Sequence, residues 1–324
     1  MKITGTFIDE ISHDIPHQNW GRREWDADFK AMKRIGINTV VMIRCGYRKW
    51  ITYPSKVLCE SEGCFTPSVD LVEMFLELSE KHGMAFYFGT YDSGKYWHGD
   101  RPEKEIELSV KVVDEVWGKY GSSSAFKGWY LSLECSRNFG KIIDIYAKLG
   151  RHCKTVSGNL PVLISPWIDG RKSVSASSSE LSRDKGISIE QHEKEWNEIL
   201  CGIKGAVDIV AFQDGHVDYE DLSEYLKVNK SLAEKHGLSC WTNIESFDRD
   251  MPIKFLPIKW GKLLYKMEAA EKAGIGKGIT FEFSHFMSPN SMYPSAGHLY
   301  NRYREWLRIQ KHETSDEDEN VQDL

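Results

Sequence analysis

The sequence predicts an α/β chain that closes as a single (β/α)8 barrel over residues 1–311, followed by an acidic disordered tail over 312–324. Two observations carry the barrel. Eight short apolar runs that can form strands are each followed by a linking segment, usually of helical period, an alternation that builds a parallel sheet covered by helices. Eight strands is the number that closes such a sheet on itself. An open, doubly wound sheet usually carries a Gly-rich phosphate turn after its first strand, and Asp9-Glu10-Ile11-Ser12 is no such turn.

Taken in order, the first run is Ile3 to Asp9. A helix is expected over Asp26 to Ile35, with Phe29, Met32 and Lys33 at helical spacing and Gly36 to end it. Thr39 to Arg44 is the second run, and its loop, Gly46 to Pro67, is long. The helix Val69 to His82 starts behind Ser68, a residue type that caps helices. Ala85 to Gly89 is the third run, and the helix Glu103 to Lys119 follows.

The fourth run, Trp129 to Glu134, places Leu131 and Leu133 on one face and Ser132 and Glu134 on the other, because strand side chains alternate. Leucines against the helices and polar groups inward fit a barrel wall. The helix Lys141 to Thr155 leads to the fifth run, Val162 to Ser165. The Ser-rich stretch Asp169 to Gly186 reads as a loop too long for a simple connector. The helix Ile189 to Gly202, the run Asp208 to Gln213 and the helix Glu220 to His236 come next. Cys240 to Glu245 is the seventh run and repeats the form of the fourth. The helix Pro257 to Ala273 carries Trp260, Leu263, Leu264 and Met267 on one stripe. The eighth run is Gly278 to Phe283, and the helix Gly297 to Arg308 covers it.

Apolar residues at 41% supply a sizeable core for the 324 residues, and a formal charge of −6 offers no basic footprint for nucleic acid. No run reaches the roughly 18 apolar residues of a membrane span, and the first residues are strand-like rather than leader-like. The expected setting is cytoplasmic. Seven cysteines, an odd number, fit a reducing compartment without a structural disulfide. Cys59 and Cys64 share a loop, but no second pair completes a zinc site. Eleven tryptophans raise the aromatic share to 12%. Aromatic faces suit the C–H faces of sugar rings, although more than half of these rings are expected in the core.

A barrel keeps its chemistry at the C-terminal ends of its strands. The polar and aromatic residues there are Asp9, Arg44, Tyr91, Asp92, Glu134, Ser165, Trp167, Gln213, Asp214, Glu245 and Glu282. No Ser nucleophile elbow with an ordered His is present. Carboxylates with aromatics remain, and two carboxylates flanking a cleft are the machinery of glycoside hydrolysis. Glu134 and Glu245 are the best pair, in phase with the inward residues Ser132 and Asn243. Arg44 could hold a catalytic carboxylate ionised. Gln213 and Asp214 could bind sugar hydroxyls, and Tyr91, Trp167 and Trp241 could form a sugar platform. Glu282, read as interior to the eighth strand, is the reserve acid.

This placement resembles the large retaining-glycosidase clan of TIM barrels, which has its acid/base on strand four and its nucleophile on strand seven. The clan usually has Asn before the strand-four Glu, where this chain has Leu133. Gly5-Thr6-Phe7-Ile8-Asp9, Tyr53-Pro54-Ser55, Trp129-Tyr130 with Glu134, Phe212-Gln213-Asp214-Gly215, and Trp241 with Glu245-Ser246-Phe247 resemble a family of glycoside-hydrolase-like TIM barrels that carries no assigned substrate. The clan resemblance implies a retaining mechanism with Glu134 as acid/base and Glu245 as nucleophile; the family resemblance supplies no substrate, and a carbohydrate substrate handled without metal or cofactor is the expectation from the paired carboxylates and aromatics. Two rivals stand beside it. One is a sugar-binding barrel without catalysis. The other is a metal-dependent hydrolase or aldolase using Asp9, His13 and His17, although Pro16 interrupts any helix that would align the two histidines.

Overall fold

The structure is a computed structural model that describes residues 1–12, 15–99, 101–170, 186–249 and 255–314, with side chains to residue 310. The eight runs form one closed parallel barrel. Its strands are β1 (Ile3–Ile8), β2 (Thr39–Met42), β3 (Ala85–Gly89), β4 (Phe126–Tyr130), β5 (Val162–Ile164), β6 (Ile209–Gln213), β7 (Ser239–Asn243) and β8 (Lys277–Thr280). Neighbours in sequence are neighbours in the sheet, and β8 closes on β1 through Ile3 opposite Gly278 and Thr6 opposite Thr280.

Period-two alternation sorts the side chains. Phe7, Val41, Ile43, Tyr87, Tyr130, Leu163, Ile209, Ala211 and Ile279 fill the barrel, with Phe7 and Tyr130 edge to face at 5.1 Å. Leu131 and Leu133 join the outer core beneath the helices, as their spacing predicts. The covering helices are α1 (Arg22–Arg34), α2 (Leu71–His82), α3 (Pro102–Tyr120), α4 (Ile142–Val156), α5 (Ile189–Gly202), α6 (Tyr219–His236), α7 (Trp260–Lys272) and α8 (Pro294–Thr314). Trp25, Trp129 and Trp196 are fully buried between the layers. Among the described residues no helix is long and apolar enough to cross a membrane.

Several boundaries differ from the sequence reading. The strand ladder of β4 stops at Tyr130, so Glu134 lies four residues past the strand. The chain stays extended there, because Leu131 N–H donates to Leu163 O and Ser132 N–H to Thr90 Oγ1. β7 likewise ends at Asn243, with Ile244 N–H donating to Ile279 O beyond it. Glu282 is not inside β8: it caps the short helix Phe283–Phe286, accepting from the backbone N–H groups of Ser284 and His285. Asp70, not Ser68, caps α2. The long loop after β2 folds into a hairpin, Gly46–Tyr47 with Trp50–Ile51, and a helix, Lys56–Glu62, capped by Ser55. α1 starts a turn early because Gly21 N–H is capped by the Glu24 carboxylate. α8 runs to Thr314, past the expected boundary at 311. Most of the Ser-rich stretch (171–185) and the rest of the acidic tail (315–324) lie outside the described residues.

All seven cysteines are free thiols. Cys59 and Cys64 point to different partners, Thr66 Oγ1 and Arg48 O, and not to each other. Titration of unfolded, freshly prepared protein is expected to give seven thiols with or without reductant. A lower count without reductant would contradict a reducing setting.

Candidate active site

The C-terminal mouth of the barrel holds a cleft of ≈ 120 Å³ lined by Ser12, Ile15, Ile43, Arg44, Glu134, Gln213, Glu245, Phe247, Arg249, Phe255 and Phe281. Glu134 and Glu245 thus open onto one space. Their side chains reach it for the same reason: each continues the inward phase of its strand, Tyr130–Ser132–Glu134 and Trp241–Asn243–Glu245.

Their surroundings differ. Glu134 Oε1 accepts from Tyr130 Oη at 2.5 Å. Burial raises its pKa above the usual carboxylate range, outweighing the nearby Arg44 charge and the hydrogen bonds of Tyr130 and Gln213. Glu245 is 1% exposed, and Arg249 grips it with two hydrogen bonds, Nε to Oε2 at 2.9 Å and a terminal nitrogen to Oε1 at 3.0 Å. Burial alone would raise Glu245, but Arg249, then Lys266 and His216, bring it down to about 2. Its backbone N–H donates to Asp214 Oδ1, which also accepts from Lys266 Nζ at 2.8 Å. Gly215 lies against the Glu245 carboxylate, where a Cβ would overlap it.

The remaining expected residues divide. Gln213 lines the cleft and donates to Ser165 O at 2.6 Å. Arg44 sits beside Glu134, Asp9 and Asp92 rather than holding Glu245, a task that falls to Arg249. Asp9 is buried, with Oδ1 accepting from the Ile11 and Ser12 N–H groups. Asp92 accepts from Gly94 N–H and Trp97 Nε1 and lies 3.7 Å from Arg44. Asn243 ends β7 one layer below Glu245 and donates to Ser165 Oγ. Asp214 is committed to Lys266.

The expected platform does not assemble at the cleft wall. Tyr91 donates to Arg48 O in the sheet of the β2 loop. Trp167 is half-buried, its ring 6.4 Å from His216. Trp241 packs inside the barrel between Tyr87 and Lys277, whose Nζ lies 4.5 Å from its ring. The cleft's aromatic surface comes instead from Phe247, Phe255 and Phe281. Glu282 is fully buried and paired with His285, whose pKa it raises to about 9 against the lowering effect of burial. Of the metal cluster, Asp9 is buried and His17 exposed, while His13 lies outside the described residues. Among the described residues no group of three potential ligands could hold a metal.

Arg249, Tyr130 and the phenylalanines are the functional candidates that sequence reasoning missed. The spacing Glu245–Arg249 was a signal, but such spacing pairs side chains dependably only on a helix, and this segment is extended chain that runs through the short strand Phe247–Asp248 to a bend at Arg249.

A closed barrel whose mouth holds two oppositely tuned carboxylates has the fold of the glycoside-hydrolase TIM barrels. Over 87% of this chain it superimposes on the endo-1,4-beta-D-mannanase of Thermotoga petrophila RKU-1 (88% of that chain, TM-score 0.56, 11% identity). The endo-1,4-beta-mannanase of Rhizomucor miehei gives the same 87% (86% of that chain, TM-score 0.56, 11% identity). These two likenesses show the fold. The chain belongs to the family described as a domain of unknown function (DUF4434), whose pattern spans residues 3–293. A Bacteroides thetaiotaomicron VPI-5482 protein of known structure, named a "putative alpha-L-fucosidase", is 60% identical over 95% of this chain and 96% of its own, with a TM-score of 0.91. No curated protein matches the chain.

Proposed function

We propose that the protein is a retaining glycoside hydrolase in which Glu134 is the general acid/base and Glu245 the nucleophile. The observation that carries this reading is the split in the pKa values of two carboxylates on one cleft, raised at Glu134 and lowered to about 2 at Glu245. Such a split assigns one group to hold a proton and the other to stay ionised near neutral pH. The name of the 60% identical relative makes an aryl α-L-fucoside the first substrate to try. A panel of 4-nitrophenyl glycosides tests the reading. Release of nitrophenolate from at least one, lost in both Glu134→Gln and Glu245→Gln, supports it; equal release by the variants overturns it.

One observation favours a sugar-binding barrel without catalysis: both oxygens of Glu245 are engaged by Arg249, so a nucleophilic oxygen must be released before attack. Binding of sugars without turnover of any panel member, at any pH from 4 to 9, would select that reading.

Gly215→Ala offers a geometric check. The added methyl would push the Glu245 carboxylate from its place. A misplacement of about 1 Å costs about 10²-fold in rate, so kcat is expected to fall about that far, while thermal unfolding stays cooperative.

A further inference from the structure

Resting on that reading, we infer that the hairpin of the β2 loop carries a saccharide-binding surface outside the cleft, formed by Trp50 and Phe65. The substrate is then a saccharide chain long enough to lie on this surface while one of its bonds occupies the cleft.

Trp50 is 65% and Phe65 54% exposed, the two most exposed of the large hydrophobic side chains among the described residues. One exposed apolar side chain alone is ordinary. Here two rings lie together, with centroids 5.1 Å apart and planes tilted by 55°. Fully burying a large apolar side chain is worth about 1.5–3 kcal/mol, so whatever covers this pair gains from both rings.

The pair is also held on fixed backbone. Trp50 stands opposite Tyr47 in the hairpin, Phe65 bridges to Trp50, and Phe65 N–H donates to Lys49 O at 2.9 Å. The hairpin is tied to the segment after β3. Gly46–Tyr47 runs parallel to Tyr91–Asp92, Tyr91 Oη donates to Arg48 O, and Arg48 N–H donates to Asp92 O at 3.0 Å. Rings placed in advance lose little freedom when a ligand arrives.

Continuity with the cleft names the occupant. The hairpin follows β2 directly, so it stands at the C-terminal mouth. Arg44 lines the cleft with Glu134, and its guanidinium carbon lies 5.4 Å from the centre of the Tyr47 ring. Residues directly opposite in an antiparallel pair share a face, so Trp50 lies on the same side of the hairpin as Tyr47. Tyr47 is half-buried and Trp50 exposed. The path Arg44, Tyr47, Trp50, Phe65 therefore leads from the cleft to open surface. Flat apolar rings accept the C–H faces of sugar rings, and a chain leaving the cleft on this side meets them. A second copy of the protein is the competing cover.

The test reads binding, which does not require turnover. Affinity electrophoresis of the whole protein would use gels containing galactomannan, arabinoxylan, xyloglucan or gastric mucin, with Glu245→Gln run beside the wild type so that the matrix stays intact. At least one of the four is expected to retard both. Trp50→Ala should raise Kd for that polymer about tenfold or more, the usual worth of an aromatic anchor. Phe65→Ala should act in the same direction, and it carries the test if Trp50→Ala fails to fold. Trp50→Ala should also raise KM for any of the four that is hydrolysed. Retardation that depends on Trp50, with no hydrolysis of any aryl glycoside, would sustain this inference while sinking the catalytic one. No retardation by any of the four, with or without hydrolysis of aryl glycosides, would overturn it, as would equal retardation of the wild type and both variants. So would a dimer of the whole protein that Trp50→Ala dissolves, because the surface would then belong to a second copy.

Discussion

Replacing Glu245 by Gln is expected to lower kcat on an activated aryl glycoside by about 10⁴-fold or more, about 5.5 kcal/mol of transition-state stabilisation. The reason is chemical. In the proposed mechanism the Glu245 carboxylate attacks the anomeric carbon as the bond to the aglycone oxygen breaks, and a neutral amide cannot form that ester at useful rates. Arg249 is what keeps Glu245 ionised in a buried site, since burial alone acts the other way. Arg249→Lys, with one point charge in place of a two-pronged grip, should therefore raise the acid limb of the kcat/KM profile from near pH 2. Stability follows the same group. A carboxylate depressed in the folded state contributes stability that is present above its ordinary value of 4.5 and is lost as pH falls toward about 2. Unfolding midpoints of Glu245→Gln and wild type should differ at pH 6 and converge near pH 2. Wild-type kcat in Glu245→Gln would remove it from the mechanism and turn attention to Asp214.

The barrel and the two carboxylates were legible because both rest on period two. Alternation continues past the last ladder bond, so Glu134 and Glu245 face inward although β4 and β7 stop at Tyr130 and Asn243. The same rule misled at Glu282: Ile279, Phe281 and Phe283 keep alternating while the backbone has turned into a short helix, and the apolar pattern does not register that turn. Trp241 illustrates a second limit. An inward aromatic on a barrel strand is equally a platform or a filler, and its height along the strand decides. Trp241 lies in the middle of β7, level with Lys277, and so fills the barrel. Arg249 was hidden because its pairing crosses the short strand Phe247–Asp248 and depends on the bend at Arg249, whose backbone angles the residue types leave open. The phenylalanines of the cleft have the composition of ordinary core residues. Phe247 and Phe255 become a wall only because the short antiparallel ribbon of Phe247–Asp248 with Leu256–Pro257 folds over the mouth.

Replacing Glu134 by Ala should slow turnover by about 10²–10⁴-fold, the usual worth of a positioned general acid/base, and azide should restore much of it when the leaving group needs no protonation. In the first step Glu134 gives its proton to the departing aglycone oxygen. In the second it takes one from the water that attacks the anomeric carbon and releases Glu245. An aryl group with an acidic phenol leaves without help, so the loss then falls on the second step, where azide replaces the activated water and yields a glycosyl azide. Retention follows from two displacements at one carbon, and proton NMR of early products should show the substrate's own anomeric configuration. The pH profile carries an independent sign. Burial raises Glu134, so the proton it must donate persists above the usual carboxylate range, and activity is lost as pH rises through that raised value. On a glycoside whose leaving group needs that proton, Glu134→Ala should erase this basic limb in whatever activity remains and leave the acid limb of Glu245 in place. Inverted product, or a basic limb unchanged in Glu134→Ala, would mean that another group delivers the proton and that Glu134, with its Tyr130 hydrogen bond, only shapes the cleft.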